Sequence, residues 1–470
     1  MKQKNLLYIF ADQWRYHAAG FAHADPVATP NMDAFAAQSM SFTNAISTYP
    51  LCSPHRASLF TGKYPTHCGM WTNCKPGLSE VLLLKPQETC ISDVLHENGY
   101  RTAYIGKWHL DASETNFTAN PPSGAVNWDA FTPPGERRHH FDFWHSYGAM
   151  DVHTDPHYWE NSPEKIKPGK WSPEHETDVA LDYLDKTADD KPFCMFLSWN
   201  PPHPPYDLLP EKYDALYRDK TMPYRENVPQ SMREDAVYNR NRERYFAAVA
   251  GLDVEFGRLM DYLMQHNLWD DTVVVLSADH GDCMGSHGLY GKNVWYEESI
   301  RIPLVIGGAK ISTGTSDCLF ASPDHTPTLL SLLGAKVPSC MEGTDLSAAI
   351  LQKEILHEPK AAFLCMLPGM PDMVHAYTAL GLDSHCFGWR GVRTKTHTYV
   401  IDNGTVPNAV QTRYLYDNLA DPYQMHPQIL TAGDALDSIY APQLAAFLAQ
   451  LQDEFLLTPL TERNPSCFKP

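Results

Sequence analysis

The chain has 470 residues, of which 43% are hydrophobic and 20% are charged, a composition typical of globular proteins. Its formal net charge of −19 argues against a nucleic-acid partner or an anionic membrane partner, because either one would need a basic face. No apolar run approaches the ~20 residues that a membrane-spanning helix requires.

The N-terminus carries Lys2 and Lys4 before a short apolar stretch. That stretch lacks a cleavage site and ends directly at Asp12, so we interpret residues 5–11 as a buried parallel strand and not as a signal peptide. On this interpretation the protein is expected to be cytoplasmic. The eleven cysteines lack the regular spacing of a disulfide framework, so most of them are expected to be free thiols.

Apolar runs of strand length alternate with segments of helical periodicity along most of the chain. The first predicted helix begins at Thr29-Pro30, with threonine as N-cap, and continues to about Ser39. Further helices are predicted at residues 91–98, 242–265 and 326–333, and further strands at residues 102–105, 193–199, 272–277 and 302–306. This alternation predicts an α/β fold, with a large, mixed but mostly parallel sheet between helices.

After about residue 355 the alternation fades into short strands at residues 361–367, 398–401 and 414–416 and a helix near residues 434–452. We therefore predict a catalytic domain at residues 1–355 and a C-terminal subdomain at residues 356–470, with a small antiparallel sheet and a terminal helix. The stretches 111–175 and 200–240 are rich in proline, histidine and aromatic residues. They are predicted to be long loops over one face, where substrate-selecting residues usually lie.

The strongest local motif is C-S-P-H-R-A-S-L-F-T-G, which runs from Cys52 to Gly62. It resembles the signature of the type I sulfatases, a family of the alkaline phosphatase superfamily, in which C-x-P-x-R is followed by x-x-L-x-T-G. The resemblance implies that a maturation enzyme oxidises Cys52 to formylglycine. In the hydrated form, one oxygen attacks sulfur and the other then ejects sulfate by collapsing to the aldehyde. Covalent catalysis of this kind replaces one difficult step with two easier ones.

Two pairs of polar residues follow predicted strands: Asp12 with Gln13, and Asp279 with His280. Ligands collect at the carboxyl ends of strands in an open α/β sheet, so the two pairs can converge. The segment D-H-G-D-x-x-G-x-H-G, which begins at Asp279, resembles the metal loop of sulfatases. The resemblance implies a divalent metal held by both pairs and by the modified Cys52. We expect calcium, which prefers oxygen ligands. Many relatives, however, have Asp at the position of Gln13 and Asn at that of His280. Because an imidazole nitrogen also suits manganese or zinc, these ions and magnesium stay open as alternatives.

Several basic residues match further sulfatase motifs. The G-K-W-H segment implies that Lys107 holds sulfate oxygens and that His109 assists breakdown of the sulfated diol. His203, in P-P-H-P-P, is implied to reach the leaving-group oxygen, and Lys292, in Y-G-K, to bridge the sulfate and the scissile oxygen. With Arg56 and the metal, these residues would form a cationic site suited to sulfate in an otherwise acidic protein.

The predicted function is hydrolysis of a sulfate monoester, with a small-molecule or glycan sulfate ester and a formylglycine-generating maturation enzyme as partners. A sulfated sugar is the expected substrate and an aryl or alkyl sulfate the alternative. Four tryptophans of the long loops could stack on sugar rings: Trp128, Trp144, Trp159 and Trp171.

Two other functions stay open. A phosphonate monoester or phosphodiester hydrolase on the same scaffold is favoured by A-D-Q-W-R at residues 11–15 and by the Asp279-His280 pair. The G-K-W-H segment argues against it, since those hydrolases tend to replace the lysine and the histidine. A protein that only binds sulfated ligands is opposed by the competent residue types at every proposed catalytic position.

Overall fold

The computed structural model describes residues 3–186, 191–351, 358–458 and 467, and an eight-stranded sheet lies at its centre. In chain order, its strands are β1 (Asn5–Ala11), β2 (Met40–Ile46), β3 (Arg101–Lys107), β4 (Phe143–Tyr147), β5 (Phe193–Trp199), β6 (Thr272–Ala278), β7 (Leu304–Gly308) and β8 (Gly314–Ala321). Their spatial order is β4-β3-β5-β1-β6-β7-β2-β8. Strand β7 is antiparallel to both of its neighbours, whereas the other neighbouring pairs are parallel. The predicted mixed, mostly parallel sheet is confirmed.

The central strands β1, β5 and β6 are buried along their whole length, with nearly continuous apolar sequences. Continuous apolar runs are the pattern expected of parallel strands that are covered on both faces. The residues that follow these strands are polar, so the carboxyl edge of the sheet carries the reactive side chains.

Helices pack against the sheet in two groups. In chain order, the helices are α1 (Pro30–Ala37), α2 (Cys52–Thr61), α3 (Ile91–Glu97), α4 (Ser172–Lys186), α5 (Glu211–Tyr217), α6 (Gln230–Arg233), α7 (Ala236–Gln265), α8 (Glu297–Ile300), α9 (His325–Leu333), α10 (Ser347–Ile350), α11 (Pro371–Thr378) and α12 (Asp437–Gln450). Helices α1, α4 and α5 pack around the long α7, and α2, α3 and α9 pack on one another. Within the described residues, no helix is both long enough and apolar enough to cross a lipid bilayer.

A second, smaller sheet is wholly antiparallel, as predicted. Its strands, in both chain and spatial order, are β9 (Ala362–Met366), β10 (Trp389–Arg393), β11 (His397–Asp402), β12 (Thr412–Asp417) and β13 (Gln428–Leu430). Helix α12 packs against β10, and Cys365 N donates a hydrogen bond to Thr48 O at 2.9 Å, which joins the small sheet to the segment before α2. The predicted division between residues 355 and 356 lies outside the described residues, so the domain limits 1–355 and 356–470 stay predictions.

The two predicted loop regions contain more regular structure than expected. Strand β4 and the start of α4 lie in the first region, and α5, α6 and the start of α7 lie in the second. Except for α4 and α7, these elements have at most seven residues, so their periodicity is too brief to identify from sequence. Helix α7 begins six residues before the predicted start.

Candidate active site

The carboxyl ends of β1 and β6 bring two acids together. The strands are parallel neighbours in which Ala11 pairs with Ala278, and Asp12 and Asp279 follow them directly. Asp279 Oδ1 accepts a hydrogen bond from Gln13 N at 3.0 Å, and Asp279 N donates to Ala11 O at 3.2 Å. Both carboxylates are fully buried. The two strand-end acids therefore meet at the predicted edge of the sheet, although most of the chain separates them.

The start of α2 fixes the proposed nucleophile beside these acids. Cys52 is the first helical residue, and all residues of α2 are buried. Ser53 anchors this helix end, because its N–H donates to Asn73 Oδ1 at 2.9 Å and its hydroxyl donates to His109 O at 2.6 Å. Pro54 lies in the first turn, where its missing N–H removes no hydrogen bond within the helix.

Four of the five predicted metal ligands converge. One potential ligand atom from each of Asp12, Cys52, Asp279 and His280 lies within 4.8 Å of the others. Cys52 Sγ is 3.3 Å from His280 Nε2 and 3.6 Å from Asp12 Oδ1. His280 Nδ1 lies 3.0 Å from Gly281 O and can only donate to it, which leaves Nε2 facing the cluster. Two buried carboxylates and an inward-facing imidazole nitrogen form a donor set that fits a divalent metal.

Gln13, the fifth predicted metal ligand, has a side-chain amide that is hydrogen-bonded at both ends. Its Oε1 accepts from Lys292 Nζ at 2.6 Å, and its Nε2 donates to Asp282 Oδ2 at 2.6 Å. The same Asp282 oxygen accepts from Tyr206 OH at 2.6 Å, so this buried acid orients both side chains. Asp282 lies in the predicted metal loop, but the motif alone assigns it no role. The role of Gln13 as a metal ligand stays a prediction.

Arg56 lies against the two acids. Its Nη2 is 3.2 Å from Asp12 Oδ2 and its Nε is 3.1 Å from Asp279 Oδ2. Its Nη1 donates to Lys107 O at 2.6 Å and to Ser198 Oγ at 2.8 Å. The guanidinium is fully buried, so its contacts fix the carboxylates and the end of β3. Its predicted part in catalysis stays a prediction.

Two lysines act on the charge of the Cys52 thiol. Lys107 Nζ is 2.7 Å from Asp12 Oδ2 and donates to Asn200 Oδ1 at 3.1 Å, while Lys292 Nζ is 3.5 Å from Cys52 Sγ. Burial alone would raise the pKa of the Cys52 thiol, but the charges of the two lysines help to lower that pKa to about 7. The position of residue 52 therefore favours negative charge. Asn200 follows β5 and is a contact that the motifs do not predict.

The two predicted catalytic histidines have different hydrogen-bond partners. His109 Nε2 lies 3.3 Å from Cys74 O, whereas its Nδ1 has no hydrogen-bond partner among the described residues. Burial keeps the pKa of His109 well below its usual value. His203 Nδ1 lies 2.7 Å from Pro204 O and 3.3 Å from Asp151 Oδ1. Since carbonyl oxygens only accept, the contacting nitrogen carries the proton in each ring.

These side chains open onto one pocket of about 550 Å³. Its lining includes every predicted catalytic residue except Arg56: Cys52, Lys107, His109, His203 and Lys292. The opposite wall includes Met366, Leu367 and Met370 from and beyond β9, so the C-terminal part of the chain helps to shape the site. The volume is within the range of pockets that hold small organic ligands.

The predicted aromatic contacts with a sugar are wrong at three of the four tryptophans. Trp144, Trp159 and Trp171 are buried in the protein interior, whereas Trp128 is half-buried and lines the pocket. Trp128 lies beside His109, with 6.2 Å between the ring centroids. Only this tryptophan of the four can therefore contact a molecule in the pocket.

Two family models match the chain. The sulfatase model matches residues 4–335, and the model for the C-terminal region of N-sulphoglucosamine sulphohydrolase matches residues 285–434. The first match covers more than half of the chain and includes all the residues of the candidate site described above, apart from the C-terminal wall of the pocket.

Individual relatives cover nearly the whole chain. An endo-4-O-sulfatase of Bacteroides thetaiotaomicron is 33% identical, over 98% of this chain and 95% of the relative. An ulvan-active sulfatase of Formosa agariphila is 34% identical, over 96% of this chain and 82% of the relative. A solved sulfatase structure connected with glycosaminoglycan metabolism in Bacteroides thetaiotaomicron superposes with a TM-score of 0.85 at 33% identity, and covers 96% of this chain and 97% of that one.

A phosphonate monoester hydrolase of Agrobacterium radiobacter also has this architecture, with a TM-score of 0.73 and coverage of 98% of this chain and 99% of that one. At 22% identity, that likeness shows the fold alone. The sulfatase model, the two sulfatase relatives and the converged site agree with one another. The chain belongs to the sulfatase family, within the alkaline phosphatase superfamily.

Proposed function

We propose that the protein hydrolyses the sulfate monoester of a sulfated sugar and that formylglycine made from Cys52 is the nucleophile. The observation that carries the proposal is the setting of Cys52, which lies at a buried helix N-terminus beside a set of metal donors and lines a pocket together with two lysines. Family membership implies a divalent metal and a cysteine-derived formylglycine in general terms. The sugar is supported by the names of the two relatives and by the half-buried Trp128 in the pocket wall.

A divalent metal would be held by Asp12, Asp279, His280 and the modified residue 52, and we propose Gln13 as a further ligand. Calcium is the proposed ion, because all of these ligands except His280 offer oxygen atoms. Manganese, zinc and magnesium are the alternatives to be compared with it. When bound, the cation supplies a fixed positive charge next to the sulfate oxygens.

Two lysines orient the sulfate ester. Lys107 and Lys292 line the same pocket as Cys52, and Lys292 Nζ lies 3.5 Å from Cys52 Sγ, so both ammonium groups can contact the oxygens of a sulfate placed at residue 52. Arg56 acts through Asp12 and Asp279, whose carboxylates it holds in place. The arrangement concentrates positive charge where the transition state spreads negative charge over the sulfate.

Each histidine moves a proton at a defined atom. His109 donates through Nε2 to a backbone carbonyl, so its Nδ1, which bonds none of the described residues, accepts a proton from the nucleophilic residue. His203 uses Nδ1 to bond Pro204 O, which leaves Nε2 to donate a proton to the departing sugar oxygen. Asp151, 3.3 Å from His203 Nδ1, stabilises the charged ring before that transfer.

A maturation enzyme is the proposed partner, because Cys52 must be oxidised before it can act as this nucleophile. The chain should therefore be produced with and without a formylglycine-generating enzyme. Mass analysis of the Cys52 peptide should show the small mass loss of thiol-to-aldehyde conversion only when that enzyme is present. Activity that does not depend on the conversion would contradict the proposal.

Three substrates, assayed in parallel, separate the candidate functions: a sulfated monosaccharide or disaccharide, an aryl sulfate and an aryl phosphonate monoester. We expect the sulfated sugar to give the highest kcat/KM. Much faster turnover of the phosphonate would favour the phosphohydrolase, against which the presence of Lys107 and His109 in the pocket argues. Tight binding of a sulfated sugar by fully converted protein, without any turnover, would instead indicate a binding protein.

A further inference from the structure

Lys75 has a fixed position relative to the proposed nucleophile. The two residues before it are joined to the N-terminal end of α2: Asn73 Oδ1 accepts from Ser53 N at 2.9 Å, and Cys74 N donates to Ser53 Oγ at 3.1 Å. Cys74 O also accepts from His109 Nε2 at 3.3 Å. The backbone that carries Lys75 is therefore held by the same residues that position the catalytic centre.

The Lys75 side chain is buried in a setting that is unusual for a lysine. The residue is only 3% exposed, and among the described residues no carboxylate lies within ion-pair distance of its ammonium group. The contacts of Nζ are with Met370 Sδ, at 3.3 Å, and with the ring of Trp128, whose centroid is 5.4 Å away. Buried lysines are rare unless they are paired, because burial disfavours the charged form. Burial accordingly lowers the pKa of Lys75 to about 8.

The same side chain lines the pocket of the candidate active site. Lys75 and Trp128 line this pocket together with Cys52 and His109. A second cavity, of about 530 Å³, shares Trp128 and Asp151 with this pocket and so extends the cleft beyond the indole. The cleft has room for substrate beyond the sulfate itself, and Lys75 presents a positive charge to it.

We propose that Lys75 binds a second anionic group of the substrate, a carboxylate or a further sulfate on the sugar that carries the scissile ester or on its neighbour. This inference rests on the proposed function, since it presupposes that the pocket holds a sulfated sugar. Lys107 and Lys292 are occupied by Asp12, Gln13 and the reacting group, whereas Lys75 has a free charge-assisted hydrogen bond to offer. An anion beside it would supply the acidic partner that the described part of the chain does not give it.

The test compares kcat/KM for three sugars with the same scissile sulfate: one without another charge, one with an adjacent uronate and one with a second sulfate. We expect Lys75→Met to lower kcat/KM more for one or both of the doubly anionic sugars than for the singly charged sugar. The difference should be about 10- to 100-fold, because that is the effect of losing a hydrogen bond to a charged group. Which sugar loses more identifies the second anion as carboxylate or sulfate. Lys75→Arg should keep most of the preference.

Lys85→Met is the matched control, because Lys85 is exposed and does not line the pocket. An equal loss on all three sugars with Lys75→Met, or no loss on any of them, would overturn the proposal. Binding to the inactive Cys52→Ala protein, measured by calorimetry with and without Lys75→Met, gives a readout without turnover. If the wild-type protein hydrolyses no sulfate ester, the proposed function is refuted. If the Cys52→Ala protein with Lys75 intact binds the three sugars equally, the role of Lys75 is refuted.

Discussion

At the scale of single residues, the electrostatic setting of Cys52 matters most. The thiol is buried, yet its pKa is lowered to about 7 because Lys292 and Lys107 favour the thiolate over the effect of burial. A thiolate reacts with alkylating reagents and a thiol does not, so reactivity should rise with pH through the pKa. We expect half-maximal alkylation of Cys52 near pH 7 in protein that is produced without the maturation enzyme. The alkylation is carried out in the presence of a chelator, and mass spectrometry of the Cys52 peptide measures its extent.

Two other cysteines provide the controls. Burial raises the pKa of Cys68 to about 12, so Cys68 should stay unmodified throughout, while the exposed Cys340 reports the pH dependence of the reagent itself. Lys292→Met should move the Cys52 midpoint upwards by about one pH unit or more, because a charge ~4 Å away contributes several kcal/mol at low effective dielectric. A midpoint that does not respond to Lys292→Met would contradict the assigned cause.

At the scale of elements, β3 shows how tightly the sheet fixes a catalytic side chain. Gly106 immediately precedes Lys107, has a φ of +97° and pairs with Ser198 of β5. An added Cβ at Gly106 would lie 2.1 Å from Ser198 O, which is backbone and cannot move aside. We expect Gly106→Ala to destabilise the protein by about 3 kcal/mol or more in chemical denaturation and to lower activity by displacing Lys107.

Gly99, two residues before the start of β3, offers the matched comparison. Its φ is +85°, but nothing lies within 4 Å of the position where a Cβ would be added. Gly99→Ala should therefore cost only the backbone strain, about 1–2 kcal/mol, and leave kcat unchanged. Equal losses of stability for Gly99→Ala and Gly106→Ala would show that contact with Ser198 O is not the cause.

Some elements could be predicted from sequence because their patterns are local. The apolar run of β6 and the N-terminal proline of α1 identify those elements without knowledge of their neighbours. At Thr29, predicted to cap α1, the hydroxyl instead donates to Asp33 Oδ1 and accepts from Gly20 N, a contact that only the folded chain supplies. Propensity located the helix, and tertiary contacts determined the detail of its cap.

At the scale of the whole molecule, the site also contains residues that local patterns predict and residues that only tertiary contacts reveal. Motifs identify Cys52 and Lys107 because each lies in a short, specific string. Lys75 and Asp282 become significant only through distant contacts: Lys75 through its burial beside Trp128, and Asp282 through its bonds to Gln13 and Tyr206. Such contacts depend on how the long loops pack, and those loops have too little periodicity to be placed from sequence.

The metal donors join distant parts of the chain, so a bound metal should stabilise the whole molecule. Cys52 and His280 lie 228 residues apart in sequence, yet their ligand atoms are 3.3 Å apart. A ligand that binds only the folded state adds stability by mass action, about 2.7 kcal/mol at 100 times its Kd. We expect calcium to raise the melting temperature of the converted protein and a chelator to lower it.

Because a net charge of −19 attracts cations generally, each titration is compared with sodium chloride at the same ionic strength. Asp12→Asn combined with Asp279→Asn should abolish the calcium effect while leaving the response to sodium chloride intact. Stabilisation by manganese, zinc or magnesium but not by calcium would reject calcium as the ion, and stabilisation by none of the four would reject the metal site.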